Sequence, residues 1–152
     1  MDFTVEQTHT YITEGLISHN CGKTLSASAE VAIHLTGRYP KWWPGRVFKD
    51  SVSAWVGSPT LQTTRDSPQR LLLGPPNDPG TGMIPAQSLI KINKAIHGVP
   101  DAIESIIVQH DVTGRQSRLQ FKSYDQSRIR WQGETLDFVW FDEEPPEDIY
   151  IE

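Results

Sequence analysis

The spacing of apolar residues changes several times along the chain, and each spacing predicts a different element. Between residues 24 and 36 apolar side chains recur at helical spacing, and Gly37 follows as a stop signal, so we predict a helix there. The predicted buried face comprises Leu25, Ala29, Ala32, Ile33 and Leu35. Near-continuous apolar runs at 53–58 and 136–141 instead predict buried strands.

Polar and turn-forming residues separate the other elements. The segments 103–110 and 117–124 predict two strands around a turn at Thr113-Gly114. The remaining predicted elements are helices over 60–72 and 85–97, a Pro/Gly loop at 74–82, and a loop with aromatic anchors at 39–51. Strands interleaved with helices predict an α/β fold whose sheet is at least partly parallel.

The opening segment, residues 2–20, has a different pattern. Phe3 and Val5 alternate with polar neighbours, and a turn signal at Glu14-Gly15 precedes another extended piece. This pattern predicts short strands joined by turns. Because so few residues cannot bury a core of their own, we expect the segment to fold against a partner.

The composition is that of a globular chain without a broad nucleic-acid-binding surface. The 152 residues are 37% hydrophobic and 22% charged, with a formal net charge of -5. Proteins that bind nucleic acid over a whole surface are usually basic, so a DNA-handling role needs local basic patches or another domain. No apolar run approaches the ~20 residues that span a bilayer, and Met1 does not begin a signal peptide. The single cysteine, Cys21, excludes an internal disulfide, and these features fit a cytoplasmic protein.

The strand predicted at 136–141 ends in the acidic residues Asp142, Glu143 and Glu144. A Walker B strand of this form delivers carboxylates to the carboxyl edge of a sheet, where α/β proteins bind ligands. Asp142 is the candidate Mg²⁺ ligand, and Glu143 is the candidate for orienting the water that attacks the γ-phosphate. A solvated acidic turn is the alternative interpretation.

Gly22-Lys23-Thr24, at the start of the first predicted helix, matches the end of a phosphate-binding loop, G-x-x-x-x-G-K-[ST]. In such a loop the lysine reaches the β- and γ-phosphates, the Thr24 hydroxyl binds Mg²⁺, and the helix N-terminus favours the anion. The first glycine of the loop belongs five residues before Gly22, but Ile17 occupies that position. The motif is therefore only half present, and a bare G-K-T triplet also occurs by chance.

Several separate motifs carry a family resemblance. Residues 117–148 contain FKSYDQ, WQGE and FDEEPPED, and residues 22–73 contain the GKT helix, RYPKWW, WVGS and TTRDSPQRLLLG. Over residues 21–152 the chain thereby resembles the large subunits of phage terminases, the ATPases that package viral DNA. The resemblance implies part of a three-layer P-loop NTPase with a mainly parallel sheet.

This resemblance also implies cofactors, site residues and partners. The cofactors are ATP and Mg²⁺, with Gly22, Lys23 and Thr24 at the phosphates, Thr24 and Asp142 at the metal, and Glu143 as the catalytic carboxylate. The implied partners are the terminase small subunit, the portal and double-stranded DNA, and no membrane.

The triplet His19-Asn20-Cys21 contains reactive side chains, and it lies where the phosphate-loop motif is incomplete. An asparagine amide can attack its own backbone carbonyl, which forms a succinimide and cleaves the following peptide bond. A neighbouring histidine can protonate the departing amine, and positioning can contribute ~7–11 kcal/mol toward the barrier. The thiolate of the next cysteine can attack a thioester. These are the parts needed to excise an intervening sequence.

The segment DFTVEQTHTYITEGLISHN resembles the C-terminal block of inteins over essentially all of residues 2–20. By position, the resemblance implies Asn20 as the cyclising residue and His19 as the penultimate histidine that assists it. It implies His9 as the second histidine of the block and Cys21 as the nucleophile that opens the C-extein. It further implies a Hint-type β fold that a partner completes.

One hypothesis joins these observations. Residues 1–20 are the C-terminal fragment of a split intein, and residues 21–152 are the C-extein, a partial terminase ATPase domain. Ligation to an upstream partner that ends in G-x-x-x restores the loop as G-x-x-x-Cys21-Gly22-Lys23-Thr24. The partner is an N-terminal intein fragment with its N-extein, in the cytoplasm of the bacterial host, and splicing itself needs no cofactor.

The isolated chain is expected neither to splice nor to hydrolyse ATP well, and the coupling segment and nuclease domain of the family are expected to lie outside it. Three alternatives stay open: a divergent P-loop ATPase in which His19-Asn20 is accidental, a non-enzymatic nucleotide- or DNA-binding fragment, and a truncated sequence that begins by chance at Met1. Only the splicing hypothesis predicts loss of residues 1–20 and ligation at Cys21.

Overall fold

The computed structural model describes residues 3–5, 10–13, 16–19, 22–96, 98–126 and 128–150, and it gives the backbone alone for those before residue 22 and for 128–129. The opening segment forms β1 (Phe3–Val5), β2 (Thr10–Thr13) and β3 (Leu16–His19). These strands pair with one another in an antiparallel three-stranded sheet. The short strands predicted for this segment are therefore confirmed.

A second sheet has five strands, and it contains all the strands that were predicted after residue 22. They are β4 (Ser53–Ser58), β5 (Leu89–Lys94), β6 (Ile103–Gln109), β7 (Gln116–Ser123) and β8 (Phe138–Phe141). Their order is β5-β6-β7-β4-β8. β4 pairs in parallel with β7 and β8, whereas β5 with β6 and β6 with β7 are antiparallel. The α/β class is confirmed, and the sheet is mixed, with its parallel part centred on β4.

Helix α1 (Gly22–Thr36) packs on one face of the five-stranded sheet. Gly37 ends it with a φ of 72°, and its N–H donates to the Ile33 carbonyl at 2.8 Å. The predicted buried face is partly wrong, because Leu25 is 46% exposed. The first turn of α1 contacts Asp142, which lies beyond the end of β8, and Leu25 belongs to this turn.

The helix predicted over 60–72 is present but interrupted. Thr60 caps α2 (Leu61–Thr64) through its side-chain oxygen. A π-helical turn (Arg65–Gln69) then leads into α3 (Arg70–Leu73). Pro68 lies in this turn, and the wider π geometry accommodates a residue that has no N–H to donate. No helix in the described ranges is long and apolar enough to cross a membrane.

The prediction of a helix over residues 85–97 is wrong. A 3-10 turn (Ala86–Ser88) leads instead into β5, which pairs with β6. The register of this pair shifts between Leu89 and Lys91, so the apolar residues of β5 do not alternate strictly. The shift gives the apolar residues a spacing typical of a helix, but the non-local pairing with β6 determines the strand conformation.

The five-stranded sheet has apolar side chains on both faces, because successive residues of a strand point to opposite sides. Ala54 and Val56 belong to the core beneath α1 and α3. Trp55 packs on the opposite side with Trp131, in the 3-10 turn Arg128–Trp131, and with Ile149. Helix α4 (Glu147–Tyr150) carries Ile149, so helical elements cover both faces.

Aromatic side chains anchor the loop between α1 and β4, as the sequence predicted. His34 is 5% exposed, and the rings of Tyr39, Trp43, Phe48 and Phe138 have their centroids 5.0 to 6.0 Å from the imidazole. The His34 Nδ1 lies 3.0 Å from the Tyr39 hydroxyl oxygen. That oxygen also accepts the Phe48 N–H at 2.9 Å. One buried imidazole thereby organises the whole loop.

We expect the free energy of unfolding to fall as the pH drops below about 6.5. Burial lowers the pKa of His34 from its ordinary value of 6.5, although the Glu30 carboxylate acts to raise it. The unfolded chain therefore takes up a proton that the folded chain resists. Urea unfolding at about pH 8 and about pH 5.5, followed by tryptophan fluorescence, measures the change. His34→Gln cannot titrate and should lose part of this dependence; an unchanged dependence would contradict the assignment.

Candidate functional site

Three parallel strands and one helix meet at one edge of the five-stranded sheet. Asp142 follows β8, and its N–H donates to the Gly57 carbonyl of β4 at 2.8 Å. Tyr124 follows β7, and its N–H donates to the Ser58 carbonyl at 2.9 Å. The carboxyl ends of parallel strands are where α/β proteins bind ligands.

The central side-chain contact of this edge joins Thr24 to Asp142. The Thr24 hydroxyl donates to Oδ1 of Asp142 at 2.9 Å, across 118 residues of sequence. Asp142 is buried, with 9% exposure, and Thr24 is half-buried. A threonine hydroxyl and a strand-end carboxylate are the two protein oxygens expected beside Mg²⁺ in a phosphate-binding site. The fold therefore brings the predicted metal ligands together.

The start of α1 is suited to an anion. Lys23 is exposed in its first turn, which contains no acidic residue. The unpaired N–H groups and the helix dipole favour negative charge at this end. A Cβ on Gly22 would meet nothing within 4 Å, so no contact among the described residues requires a glycine there.

Glu143 adopts a strained backbone conformation. Its φ is 76°, in a region that costs a non-glycine residue about 1–3 kcal/mol. The Tyr124 hydroxyl lies 2.9 Å from the Gly57 carbonyl, 3.0 Å from that of Glu143 and 3.4 Å from that of Asp142. One hydroxyl proton is shared among these acceptors, which fixes both acidic residues against β4. Burial, with the Asp142 and Glu143 carboxylates, raises the pKa of Tyr124, so the hydroxyl keeps its proton at neutral pH.

Gly57 makes room for the aromatic side chains beneath this edge. A Cβ there would lie 2.3 Å from the Trp131 ring and 2.9 Å from the Tyr124 ring. Trp131 in turn stacks on Phe141, the last residue of β8, with ring centroids 5.9 Å apart. A glycine inside a strand often marks such a close approach.

Two buried serine hydroxyls near this edge, one of them beside Asp142, have no partner among the described residues. Ser58 and Ser123 lie opposite each other in the β4–β7 register, and the β4–β8 register places Asp142 beside Ser58. Both serines are fully buried, and their Oγ atoms make no hydrogen bond within the described part of the chain. Leaving a buried hydroxyl unpaired costs about 1–3 kcal/mol, so each such group needs an explanation.

These residues fit a hydrated Mg²⁺ ion with a nucleotide. No group of three or more His, Cys, Asp or Glu side chains placed to hold a metal occurs within the described ranges. Mg²⁺ does not need one, because it typically binds one or two protein oxygens, several waters and substrate phosphates. Thr24 and Asp142 would supply the protein oxygens, and the unpaired hydroxyls of Ser58 and Ser123 would be polar neighbours for water.

The residues predicted for splicing are described only in part. His9, Asn20 and Cys21 lie outside the described residues. For His19 the backbone alone is described, at the end of β3. Their predicted roles therefore stay predictions.

Tyr124 and Gly57 contribute to this edge although neither was predicted as a site residue. Both belong to motifs noted in the sequence, FKSYDQ and WVGS. The glycine inside an apolar strand was a usable signal of close packing. No local signal could show which carbonyls the tyrosine hydroxyl reaches, because they belong to strands distant in sequence.

Comparison with known proteins gives two matches. The family described as "Terminase large subunit, T4likevirus-type, N-terminal" matches residues 15–152, and residues 1–14 lie outside that match. The large terminase subunit of Salmonella phage P22 is 38% identical over 156 residues, which cover 90% of this chain and 31% of that protein. The chain thus spans less than a third of the length of this relative. No solved structure matches.

We expect Gly57→Ala to destabilise the chain by about 1–3 kcal/mol, the usual cost of overpacking. The new methyl group would overlap the Trp131 ring. Urea unfolding of the parent, of Gly57→Ala, of Trp131→Leu and of the double variant measures the coupling between the two positions. The cost of the alanine should be smaller when residue 131 is leucine. An equal cost in both backgrounds would show that Trp131 does not impose the glycine.

Proposed function

This chain belongs to the family of phage terminase large subunits, in its N-terminal part, and from that premise we propose that it contributes the metal-binding half of the ATPase that drives DNA packaging. The observation that carries the proposal is the 2.9 Å contact between the Thr24 hydroxyl and the Asp142 carboxylate. It joins the helix end of one motif to the strand end of the other at the edge where ligands bind. The activity belongs to the assembled site, with ATP and Mg²⁺ as cofactors.

Each residue of the edge has a role in this proposal. Gly22, Lys23 and Thr24 bind the phosphates, and Thr24 and Asp142 hold Mg²⁺, which when bound offsets the phosphate charge. Glu143 orients the attacking water and accepts its proton. Its strained backbone, fixed through the Tyr124 hydroxyl, supports a functional rather than a solvated position for this acid.

We further infer that residues 1–20 are the C-terminal fragment of a split intein and that 21–152 are its C-extein. Even within the family match, Ile17 stands where the phosphate loop needs its first glycine. Removal of residues 1–20 and ligation to an N-extein that ends in G-x-x-x corrects this defect. The separate three-stranded sheet of the opening segment also supports the proposal, because its described strands pair with one another and not with the five-stranded sheet.

The splicing steps follow from the residues at the junction. The Cys21 thiolate attacks the thioester that joins the N-extein to its intein fragment; the acyl group moves to the Cys21 sulfur, and the thiolate of the intein fragment leaves. The Asn20 amide nitrogen then attacks the Asn20 carbonyl, which forms a succinimide and breaks the bond to Cys21. His19, assisted by His9, protonates the departing amine. That amine takes the acyl group from its own sulfur, which leaves an ordinary peptide bond.

The assembled subunit acts with other components in this proposal. An N-terminal intein fragment with its N-extein is the first partner, in the cytoplasm of the bacterial host. After ligation, the partners are the terminase small subunit, the portal and double-stranded DNA.

Mixing the chain with a matching N-terminal intein fragment should release residues 1–20 and join the N-extein to Cys21. Intact-mass spectrometry measures both products. Asn20→Ala should block release, because no amide is left to cyclise. Cys21→Ala should block ligation while cleavage after Asn20 continues. Normal processing of Asn20→Ala would refute splicing, and unaided ATP hydrolysis by that variant would favour an ordinary ATPase.

In the ligated product, Glu143→Gln should lower kcat for ATP hydrolysis on the order of a hundredfold or more, while nucleotide affinity changes little. The amide keeps the shape of the side chain but cannot accept the proton from water. Glu144→Gln is the matched control, since it removes one carboxylate from the exposed neighbouring position. A coupled phosphate-release assay gives kcat, and fluorescent-nucleotide titration gives the affinity. Equal losses in the two variants would show that local charge, rather than Glu143, matters.

A further inference from the structure

We propose that the segment 38–49, called here the basic loop, is a contact surface for the sugar–phosphate backbone of double-stranded DNA. The inference rests on the proposed packaging function, and it concerns a part of the fold that the nucleotide site does not use. Charge, exposure and rigidity of the loop carry it.

The charge of the basic loop is opposite to that of the chain. It contains Arg38, Lys41, Arg46 and Lys49 and no acidic residue, although the chain has a net charge of -5. Two nearby acids are paired, Asp111 with Arg38 and Asp50 with Arg115, whereas Glu30 contacts the His34 imidazole that packs against the loop. Lys41, Arg46 and Lys49 make no ion pair with any described residue. Three cations without an ion pair to a described residue, within nine positions, form the kind of local patch that DNA phosphates bind.

Apolar side chains stand exposed among these cations. Trp42 is 74% exposed and Val47 is 52% exposed. A tryptophan surrounded by cations is poorly suited to an apolar protein interface, because burying it would also desolvate the charges. Against DNA the same arrangement is favourable, since the ring can pack on deoxyribose while the cations keep contact with phosphates and water.

The loop is rigid because its other aromatic residues face inward. The Trp43 indole N–H donates to the Arg46 carbonyl at 3.0 Å, and the Trp43 backbone N–H donates to the Pro40 carbonyl at 3.0 Å. A Cβ on Gly45 would lie 3.0 Å from the Trp43 ring, so the glycine lets the turn close tightly. Arg46 lies over the Phe48 ring, 4.6 Å from its centroid. A loop that is already ordered loses little conformational entropy when it binds.

The basic loop lies at the far end of α1 from the nucleotide site. Thr24 is in the first turn of that helix, and the loop begins after its last residue, Thr36. Fifteen residues of helix span about 22 Å at about 1.5 Å per residue. Changes in the loop should therefore leave the Thr24–Asp142 contact intact, so DNA contact can be tested separately from nucleotide chemistry.

The test uses the whole 152-residue chain and a fluorescently labelled 30-base-pair DNA duplex, with anisotropy measured over a range of KCl concentrations. The variant Lys41→Gln/Arg46→Gln/Lys49→Gln should bind on the order of a hundredfold more weakly at about 0.1 M salt. The slope of log affinity against log salt should become shallower by about 0.9 for each lost phosphate contact. Trp42→Ala should weaken binding severalfold without a change in that slope, because it removes no charge.

The charge-matched control is Arg70→Gln/Lys91→Gln/Lys94→Gln, which removes three exposed cations from α3 and β5. It should keep the parent affinity within about threefold. Circular dichroism melting must give the parent transition for each variant. If the triple variant fails to fold, Trp42→Ala still tests the proposal, because its side chain is largely exposed. Absence of duplex binding by the parent, equal losses in the control, or a loss confined to single-stranded DNA would overturn the proposal. Trans-splicing should proceed normally in all these variants, so a failure of DNA contact is distinguishable from a failure of the proposed function.

Discussion

The peptide group of Gly57 is the constraint on which the catalytic edge depends. Its carbonyl accepts hydrogen bonds from the Asp142 backbone N–H and from the Tyr124 hydroxyl. Its missing side chain leaves space for Trp131, whose ring supports Phe141 at the end of β8. One glycine in the central strand thus positions the strand end that carries the acids, the tyrosine that fixes them and the aromatic residues beneath. Any larger residue would disturb all three at once.

The contact between the two predicted metal ligands, Thr24 and Asp142, forms without the upstream half of the phosphate loop. The Thr24–Asp142 contact depends on α1, β4 and β8, all of which belong to the C-terminal side of the proposed junction. An N-extein would then need to add only the glycine-rich backbone that surrounds the phosphates. The proposed junction would thus separate two tasks. Positioning Thr24 and Asp142 needs a packed sheet, whereas binding the phosphates needs backbone N–H groups in a conformationally free loop.

The sequence predicted those parts of the fold that local pattern determines. The apolar runs that became β4 and β8, and the two strands around Thr113-Gly114, were recognisable because burial and turn chemistry act over a few residues. β5 was not recognisable as a strand, because its register shift next to Leu89 gives the apolar residues a helical spacing. Its extended conformation depends on pairing with β6. In the site, Thr24 and Asp142 were predictable from motif chemistry. The hydroxyl of Tyr124 was not, because its acceptors belong to other strands.

The separate strand pairing of the two sheets has a consequence for the proposed removal of residues 1–20. In the described part of the chain, β1, β2 and β3 exchange ladder hydrogen bonds only with one another. If residues 1–20 were removed as proposed, every described pairing of the five-stranded sheet would stay in place, and none of its strands would need a new neighbour. Under that proposal the opening segment and the five-stranded domain could each change in sequence independently, because the described strands of one form no ladder with those of the other.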